Sequence, residues 1–339
     1  MAELSIISAG NGLTVQDLGR PGWKAQGLST GGAADPLALL EAASLLGIAP
    51  TQAVIEMMGF GGRFSVSEGT RFALTGAAME ADVDGVRILP NTTSFLPAGA
   101  TLTIGAAKAG VYGYVAFAGG VTTPKIMDSR AAHLTAGIGK RLQAGDTLPL
   151  GADPDRMRAP QRLRAEDRFG GGVVRIMPGP QTDFFDQNAR DAFTGTTFHR
   201  SPRGNRQGIR LDQTGAEFGA KDGLNHVSDL IVLGDIQITG AGVPYVLLAE
   251  CQTIGGYPRI GSVIPADLPK IAQAAPGTPL QFQFLTLEEA DATTQSQAAK
   301  LRQLTQLCQP MVRDPHDIAD LLRYQLISGA TRGDDLEGS

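Results

Sequence analysis

A cluster of polar side chains near residue 255 is the stretch of this sequence best equipped for chemistry. The paired glycines Gly255 and Gly256 let the backbone take positive φ or approach a ligand closely, and the proline that follows restricts Tyr257 to an extended conformation. An ordinary polar turn between two strands explains the same residues, so a functional interpretation needs support from the rest of the chain. Within ten residues the stretch offers a carboxylate, an amide, a hydroxyl, a phenol and a guanidinium, on Glu250, Gln252, Thr253, Tyr257 and Arg259.

Arginines also lie in several other turns of the sequence. A guanidinium binds a carboxylate or a phosphate through two parallel hydrogen bonds. One hypothesis is therefore that several of these arginines converge on an anionic small molecule, and the alternative for each is a salt bridge between neighbouring turns. The arginines concerned are Arg20, Arg130, Arg206, Arg210 and Arg259.

Motifs for nucleotide, metal or covalent cofactor binding are missing from the sequence. The segment 137–140 lacks the first glycine and the hydroxyl residue of a phosphate-binding loop, and no Gly-x-Ser-x-Gly elbow occurs. The four histidines stand apart from one another, without metal-ligand spacing. We therefore predict no metal site and no self-contained ATP site on this chain, and any catalytic activity would require a partner.

Composition narrows the class of protein. The chain has 339 residues and a net charge of −5, which gives no electrostatic attraction for nucleic acid or an anionic membrane. It starts without a basic leader and has no apolar run long enough to span a bilayer. Cys251 and Cys308 are far apart and are expected to be reduced thiols. These features predict a cytoplasmic protein.

The pattern of short apolar runs separated by turns predicts a mainly β fold. The 44 glycines favour many short strands and turns, and barrels or sandwiches are built from such strands. One helix is predicted from Leu37 to Leu46, with Asp35 as its N-cap, Pro36 in its first turn and Gly47 as its end. Strands are predicted at 53–58, 71–75, 87–89, 101–104, 113–118, 147–150, 173–177, 198–201, 209–211, 230–233, 236–239, 245–249 and 281–284.

The chain divides into four segments by composition. We predict an N-terminal β-rich lobe at 1–152, a charged linker at 153–172, a C-terminal lobe at 173–286 and a helical tail with a frayed end at 287–339. The two lobes are expected to be barrel-like, with a few short helices, one of them at 183–193. The linker arginines are interpreted as solvated charge. In the tail, leucines at 301, 304 and 307 indicate one helix, and apolar residues at 318–326 indicate a second.

Extended motifs on both sides of the linker resemble one family of proteins. In the first half they are 14–22 (TVQDLGRPG), 32–35, 55–56, 74–77, 118–120, 129–130 and 144–146. In the second half they are 179–181, 205–206, 208–211, 228, 234, 237, 244, 252–253, 255–258 (GGYP), 266–268 and 272–273. The chain resembles the carboxyltransferase-domain family that includes the 5-oxoprolinase C subunits, allophanate hydrolase subunit 2 and the Kip-antagonist group. It departs from the family pattern at Ser44, Ile48 and Gln207, which weakens any ligand role for the first helix.

The resemblance implies a fold, a partner and a reaction. The lobes would be cyclophilin-like, and the chain would act with a subunit-B (subunit-1) homologue, in a hetero-oligomer of two copies of each, and with a subunit-A protein. Together they would form an ATP-dependent 5-oxoprolinase that opens 5-oxo-L-proline to L-glutamate, and this chain alone would be inactive. We predict catalytic roles for Arg206, Tyr257 and Glu250. Substrate-binding roles are predicted for Gln16, Asp17, Arg20, Arg130, Asn205, Gln252, Thr253, Gly255, Gly256 and Arg259.

Two other functions fit the same resemblance. In a urea carboxylase-type system, carboxybiotin on a separate carrier would give its carboxyl group to urea or another amide. As the second alternative, the chain would be a non-catalytic regulatory subunit that antagonises a kinase inhibitor. The 5-oxoprolinase function is favoured because the chain carries neither a biotin carboxylase nor a carrier region.

Overall fold

The structure is a computed structural model that describes residues 2–215, 218 and 228–311. Over these residues the chain forms five α-helices and twenty strands. The helices are α1 (Pro36–Leu46), α2 (Gln187–Gly195), α3 (Leu268–Gln273), α4 (Leu287–Thr293) and α5 (Gln297–Leu307). The strands are β1 (Ala2–Ala9), β2 (Thr14–Gln16), β3 (Val54–Met58), β4 (Gly62–Val66), β5 (Thr70–Val83), β6 (Val86–Ile88), β7 (Thr93–Leu96), β8 (Thr101–Phe117), β9 (Thr147–Leu150), β10 (Gln161–Leu163), β11 (Gly172–Met177), β12 (Phe198–Gly204), β13 (Gly208–Asp212), β14 (Asp229–Leu230), β15 (Asp235–Ile238), β16 (Pro244–Leu247), β17 (Ile254–Gly255), β18 (Arg259–Val263), β19 (Pro279–Phe284) and β20 (Cys308–Pro310).

The first lobe is a nine-stranded sheet that curls around its own core. Its strands follow the order β2-β3-β8-β4-β1-β9, and β5 pairs with β6, β7 and β8. The predicted separate strands at 101–104 and 113–118 are wrong, because β8 runs without a break for 17 residues. The glycines between them indicated a turn, but the strand passes through them against β5 by way of register shifts. Leu4, Phe64, Phe72 and Phe117 lie at the centre of the core.

The second lobe is a closed barrel of seven strands. The strands follow the order β11-β18-β15-β16-β13-β12-β19, and β11 closes the ring by pairing in parallel with β19. Closure leaves no free sheet edge. The interior is filled by a cluster of rings, Phe193, Phe198, Phe218 and Phe282. The mainly β fold with few helices is therefore confirmed.

Two details of the second lobe differ from the sequence prediction. The expected helix at 183–193 is a 3-10 turn at Thr182–Phe184 followed by α2, which begins at Gln187 with Asp186 as its N-cap. The expected strand at 230–233 is only the two residues of β14. The apolar run at 230–233 misled this prediction, because Leu230 and Leu233 are exposed and Ile231 is the buried member of the run.

Helix α1 is the element that joins the lobes and the tail. The carboxylate of Asp35 accepts a hydrogen bond from the Ala38 amide, and Gly47 ends the helix at φ 69°. The prediction for both ends is confirmed. Nine of the eleven residues of α1 are buried, because the helix packs against β5 and β8 of its own lobe, Ala272 of the second lobe and the tail helix α5.

The arginines of the segment 153–172 were expected to be solvated, but parts of this segment are buried. Asp153 receives the Arg71 guanidinium at 2.6 Å, and Arg168 is 6% exposed and binds Glu41 and Asp35 at 2.8 Å. Strand β10 pairs with β20, which directly follows α5. The solvated-charge interpretation of the linker arginines is therefore wrong for Arg168, because a buried guanidinium needs carboxylate partners. The segment boundaries themselves stay predictions.

The first predicted tail helix is confirmed as α5, and its Leu304 is buried against α1. The second, at 318–326, lies outside the described residues. Across 2–215, 218 and 228–311, no helix is long and apolar enough to cross a membrane.

Replacing Arg168 tests how strongly the segment is held. Arg168→Met leaves Glu41 and Asp35 buried without their cation, and we expect the free energy of unfolding to fall by about 3–5 kcal/mol. Burial raises the pKa of Glu41. A carboxyl with a higher pKa in the folded chain favours folding at low pH, so the loss should be larger at about pH 8 than at about pH 5.

Urea unfolding measures this difference, with Arg164→Met as the control because Arg164 is exposed and lies four residues away on the same segment. Equal stability of the two variants would contradict the structural role of Arg168.

Candidate functional site

Arg206 is the centre of a buried charge cluster between the two lobes. It follows β12 in the second lobe, and its Nε donates to Glu250 Oε1 at 2.6 Å. Its Nη1 and Nη2 donate across the interface to the Glu56 carboxylate and the Gly32 carbonyl. Burial opposes the charged form, but Glu56 and Glu250 raise the pKa of Arg206 above its ordinary value. Arg206 is therefore a permanent cation that joins the lobes.

Glu250 has both carboxylate oxygens occupied. Besides Arg206, it accepts hydrogen bonds from the amide and the hydroxyl of Thr135, each at 3.2 Å. Gln207 donates in turn to that hydroxyl at 3.0 Å. Although burial alone would raise the pKa of Glu250, Arg206 and Thr135 lower it overall. An ionised carboxylate with filled oxygens positions Arg206 and is a poor proton acceptor.

Glu56 is a member of the cluster that the sequence did not identify as a site residue, although its motif belongs to the family pattern. Its second oxygen accepts hydrogen bonds from the Ala34 amide at 2.9 Å and the Tyr114 hydroxyl at 2.8 Å. The Tyr114 hydroxyl also accepts from the Asp35 amide at 2.8 Å. A glutamate in an apolar strand (Val-Ile-Glu-Met-Met) was the available signal, because a buried charge needs partners.

The loop 29–34 lies between this cluster and a cavity. Gly32 and Ala34 bind Arg206 and Glu56 on one side, whereas Ser29 and Gly31 line the cavity on the other. The Gly31 amide also donates to the Ala249 carbonyl of the second lobe at 3.1 Å. The charge cluster therefore fixes one wall of the cavity.

The cavity has a volume of about 860 Å³ and lies between the lobes and the tail. This size suits a small-molecule ligand. Much of the wall is apolar, from Leu18, Leu37, Leu40, Ile231, Leu233 and Leu248. Ser29 and Thr253 add buried hydroxyls to it. Cys251 also lines the wall, but burial raises the pKa of its thiol to about 11, so it is not a nucleophile near neutral pH.

Ser29 forms a pair with His133 that the sequence did not reveal. Ser29 Oγ lies 2.8 Å from His133 Nε2. The Ala136 amide donates to His133 Nδ1 at 3.3 Å, so Nδ1 is unprotonated and Nε2 carries the proton. His133 therefore donates to Ser29, and the Ser29 proton is free to point at a ligand. Glu250 is 3.9 Å from Nδ1, too far for a hydrogen bond. The arrangement is a hydrogen-bond donor and lacks the geometry of an activated nucleophile.

Asp17 ties together two loops of the first lobe. It accepts hydrogen bonds from the Gly19 amide at 2.8 Å, the Ser129 hydroxyl at 2.6 Å and the Arg130 amide at 2.7 Å. Arg130 itself donates to the Thr123 carbonyl at 2.7 Å. Gln16 is fully buried and donates to Thr14 and to the Ala132 carbonyl. The structure thus brings these predicted residues together in the first lobe, where most of their hydrogen bonds go to neighbouring loops, while the buried Gln16 Oε1 has no partner among the described residues.

Arg20 lies directly behind the cavity wall. Its Nη2 donates to the Ala131 carbonyl, while its buried Nη1 has no partner among the described residues. Gly31 allows this approach, since a Cβ there would lie 3.4 Å from Nη1 and 3.1 Å from the His133 ring. Burial lowers the pKa of Arg20, against the influence of Asp17 and Glu250.

The polar stretch 250–259 is divided between two places in the fold. Arg259 binds Gln181 and the carboxylates of Asp229 and Asp235, in a second charge cluster. Tyr257 is 45% exposed, without a hydrogen bond to the described residues. Gln252, Asn205 and Gly256 are also exposed, and Gly255 pairs with β14. Of the predicted site residues in this stretch, Glu250 and Thr253 lie at the cavity and its supporting cluster, where Cys251 also lines the wall. Among the described residues no group of His, Cys, Asp and Glu side chains is arranged to hold a metal ion.

Removing Arg206 tests whether the charge cluster holds the lobes together. Arg206→Met leaves two buried carboxylates without a cation, so we expect a loss of about 3–5 kcal/mol in the free energy of unfolding. Arg206→Lys should lose less, because it keeps the charge but not the forked geometry. Chemical unfolding measures both, with the exposed Arg203→Met as the control. If Arg206→Met were as stable as that control, the cluster would not hold the lobes.

A second prediction concerns the charge and the tautomer of His133. Burial, together with the nearby Arg20 and Arg206, lowers the pKa of His133 although Glu250 opposes this. The ring should therefore be neutral and protonated on Nε2 at about pH 6.5, where a free histidine is half charged. A lowered pKa stabilises the fold above about pH 6.5, and this contribution is lost as the pH falls through the folded value.

Nitrogen NMR of the ring reports both properties. His133→Gln assigns the signal, and the exposed His199 provides the internal reference. A His133 that titrates at or above the reference would contradict the proposed pair.

Comparison with known proteins agrees with this architecture. The family model for the carboxyltransferase domain, subdomain A and B, matches residues 26–284. The chain is 35% identical to the 5-oxoprolinase C subunit of Escherichia coli over 308 residues, which cover 89% of this chain and 97% of the relative. It is 31% identical to the 5-oxoprolinase C subunit of Haemophilus influenzae over 318 residues, covering 91% and 97% of the two chains.

A solved structure extends the likeness in fold. The urea amidolyase of K. lactis superposes with a TM-score of 0.80 at 21% identity, over 92% of this chain and 21% of that much longer chain. The chain is homologous over nearly its whole length to the 5-oxoprolinase C subunits, and it belongs to the carboxyltransferase domain, subdomain A and B, family.

Proposed function

We propose that this chain is the C-type subunit of a complex that opens 5-oxo-L-proline to L-glutamate with ATP. The observation that carries the proposal is the likeness to relatives named as 5-oxoprolinase C subunits along 97% of their length. The interlobe cavity supports it, because it is a preformed small-molecule site with few polar groups on an apolar wall. A five-membered lactam is small and largely apolar apart from its amide and carboxylate.

Donors at the cavity match the demand of lactam chemistry. The lactam amide is stabilised by resonance, and its carbonyl oxygen gains negative charge when the carbon is attacked. Ser29, whose oxygen accepts from His133, can donate its own proton to such an oxygen. Thr253 offers a second hydroxyl at the same wall. In this proposal the chain binds and polarises the lactam but supplies no nucleophile.

The charge of the cavity wall disfavours the triphosphate of ATP. Among the basic residues that line it, Arg168 is paired with Asp35 and Glu41, and Arg175 with Asp267. Lys270 donates to the Val173 carbonyl, and Lys300 lies 3.7 Å from Glu166. With most cations occupied and carboxylates in the wall, a polyanion is disfavoured. We therefore place ATP on the partner subunits, and no step of the chemistry is assigned to it here.

The partners in this proposal are a subunit-B homologue, two copies of each chain assembling together, and a subunit-A protein. Arg206 and Glu250 would act by holding the cavity wall in place, since all their polar atoms are occupied within the chain. The exposed Tyr257 is free to contact substrate or partner.

Carboxyl transfer is the second candidate function. The specific observation in its favour is the size of the cavity, which exceeds the needs of a lactam and has room for the bicyclic ring system of biotin from a separate carrier. The same hydroxyl donors would serve the carbonyl oxygen of urea or of another amide.

Reconstitution of the complex tests the proposal. We expect the purified chain alone to turn over neither ATP nor 5-oxo-L-proline, and the chain with its A and B partners to release glutamate. Ser29→Ala should lower kcat by about 10- to 100-fold without preventing assembly, because one donor to a developing oxyanion is lost. The control is Ser5→Ala, which removes an exposed hydroxyl in β1.

The result also separates the candidate functions. Robust turnover by the isolated chain would overturn the proposal. Urea carboxylation with a biotin carrier and no glutamate release would support carboxyl transfer instead. Tight binding to a partner without either activity would support a regulatory role.

A further inference from the structure

Arg200 is a buried arginine that the site described above does not use. It lies in β12, and its side chain shares a face of the strand with Phe198 of the barrel core. Its amide donates to the Thr278 carbonyl at 3.0 Å, and its carbonyl accepts from the Gly277 amide at 2.7 Å. The residue is 3% exposed. Its backbone is therefore fixed on both sides, and the guanidinium cannot easily reach solvent.

This guanidinium has no partner among the described residues. Its Nε and Nη2 are buried without a hydrogen bond. These two nitrogens form the edge that Arg71 presents to Asp153 and Arg175 presents to Asp267 in the same protein. An open edge of this kind matches the two oxygens of a carboxylate.

The charge of Arg200 also lacks a carboxylate partner among the described residues, in contrast to the charges of Arg168 and Arg206. Arg168 and Arg206 each bind two carboxylates. No carboxylate of the described residues bonds to Arg200, and burial lowers the pKa of its guanidinium. A buried charge needs an opposite charge nearby. Water molecules could satisfy the hydrogen bonds of the guanidinium, but they would not neutralise its charge.

Tyr112 supplies a second unpartnered group. It lies in β8 of the first lobe, is fully buried, and has a hydroxyl without a hydrogen bond to the described residues. The Tyr112 amide donates to Gln273 Oε1 at 3.0 Å, and Gln273 Nε2 donates to the Tyr112 carbonyl at 2.8 Å. These two bonds fix the backbone of Tyr112. Tyr112 and Arg200 are both anchored to the segment 273–278, Tyr112 through Gln273 and Arg200 through Gly277 and Thr278. Burial raises the pKa of Tyr112. The phenol therefore stays protonated and can donate.

We propose that Arg200 and Tyr112 form a buried site, separate from the interlobe cavity, for a small planar oxyanion of the carboxylate type. Two oxygens of the anion accept hydrogen bonds from Nε and Nη2 of Arg200, and one of them also accepts from the Tyr112 hydroxyl. The neighbouring carboxylates do not fill this place, because Glu56 and Glu250 are already bound to Arg206.

Two sources could provide this anion: the carboxylate of an organic acid, or bicarbonate. The site itself does not depend on the proposed function. Its occupation by the carboxylate of a 5-oxo-L-proline molecule other than the one in the interlobe cavity does rest on that function. Comparison with 2-pyrrolidinone, which has the same lactam ring without the carboxylate, tests this link.

Anion binding to the full-length chain tests the site. Titration calorimetry and thermal unfolding are measured with formate, bicarbonate, 5-oxo-L-proline and 2-pyrrolidinone, at constant ionic strength with chloride as the reference. We expect formate or bicarbonate to bind and to raise Tm, and Arg200→Met to abolish both effects. Tyr112→Phe should weaken binding by about tenfold, since it removes one hydrogen bond to a charged group.

The thermal stability of Arg200→Met in the absence of a binding anion gives an independent readout. Arg200→Met removes a buried charge that has no carboxylate partner among the described residues, so its Tm in chloride should equal or exceed that of the wild type. Arg203→Met, three residues along β12 and exposed, should bind anions as the wild type does.

Each outcome has a defined meaning for the proposal. Absence of anion binding by the wild type, or equal binding by Arg200→Met, would overturn the site. Binding of 5-oxo-L-proline but not of 2-pyrrolidinone, lost in Arg200→Met, would identify the carboxylate source. Binding of bicarbonate without 5-oxo-L-proline would uphold the site while removing its link to the lactam. Glutamate release by the complex is measured separately, so failure of the proposed function is recognised independently of this site.

Discussion

The ionic contact of Arg206 with Glu56 and Glu250 is the constraint on which the geometry of the candidate site depends. It connects the turn after β12 in the barrel to β3 in the first lobe and to the end of β16. Buried ion pairs contribute little net stability relative to apolar packing, but breaking one is costly. This asymmetry explains the role of the cluster. It defines one relative arrangement of the lobes, because any other arrangement leaves buried charges without partners.

The same reasoning extends along the interface. Asp35 caps α1, and its carboxylate also receives Arg168 from the segment 153–172 and Gln273 from the second lobe, each at 2.8 Å. The start of α1 is thus bound to two other parts of the chain. The loop 29–34, which precedes α1 and forms the cavity wall, is fixed at one end by this contact and in its middle by Arg206. A shift of the barrel would therefore change the cavity.

The sequence predicted the parts that depend on local chemistry. The ends of α1 followed from Asp35 and Gly47, and the short apolar runs of the second lobe indicated its barrel strands. The long strand β8 was not predicted, because glycine has the same local preference in a turn and in a strand bulge. Glu56, Ser29 and His133 were missed as a group, since residues from distant segments meet only in the folded chain. Conversely, Glu250 and Arg259 are close in sequence but belong to different charge clusters, because the chain between them turns at the glycines.

The protonation states at the cavity decide what kind of chemistry this chain can contribute. A nucleophile needs a lowered pKa or an adjacent base, whereas Cys251 has a raised pKa and His133 donates to Ser29 instead of accepting from it. Glu250 is ionised, but its oxygens are occupied by Arg206 and Thr135. The groups that remain available at the wall include the hydroxyls of Ser29 and Thr253, which are donors. A site of donors on a fixed wall can orient a carbonyl compound and stabilise charge on its oxygen, but the attacking group must come from solvent, from a bound reagent or from another subunit. This is the physical reason to expect that the activity belongs to an assembly, with this chain as its binding and polarising component.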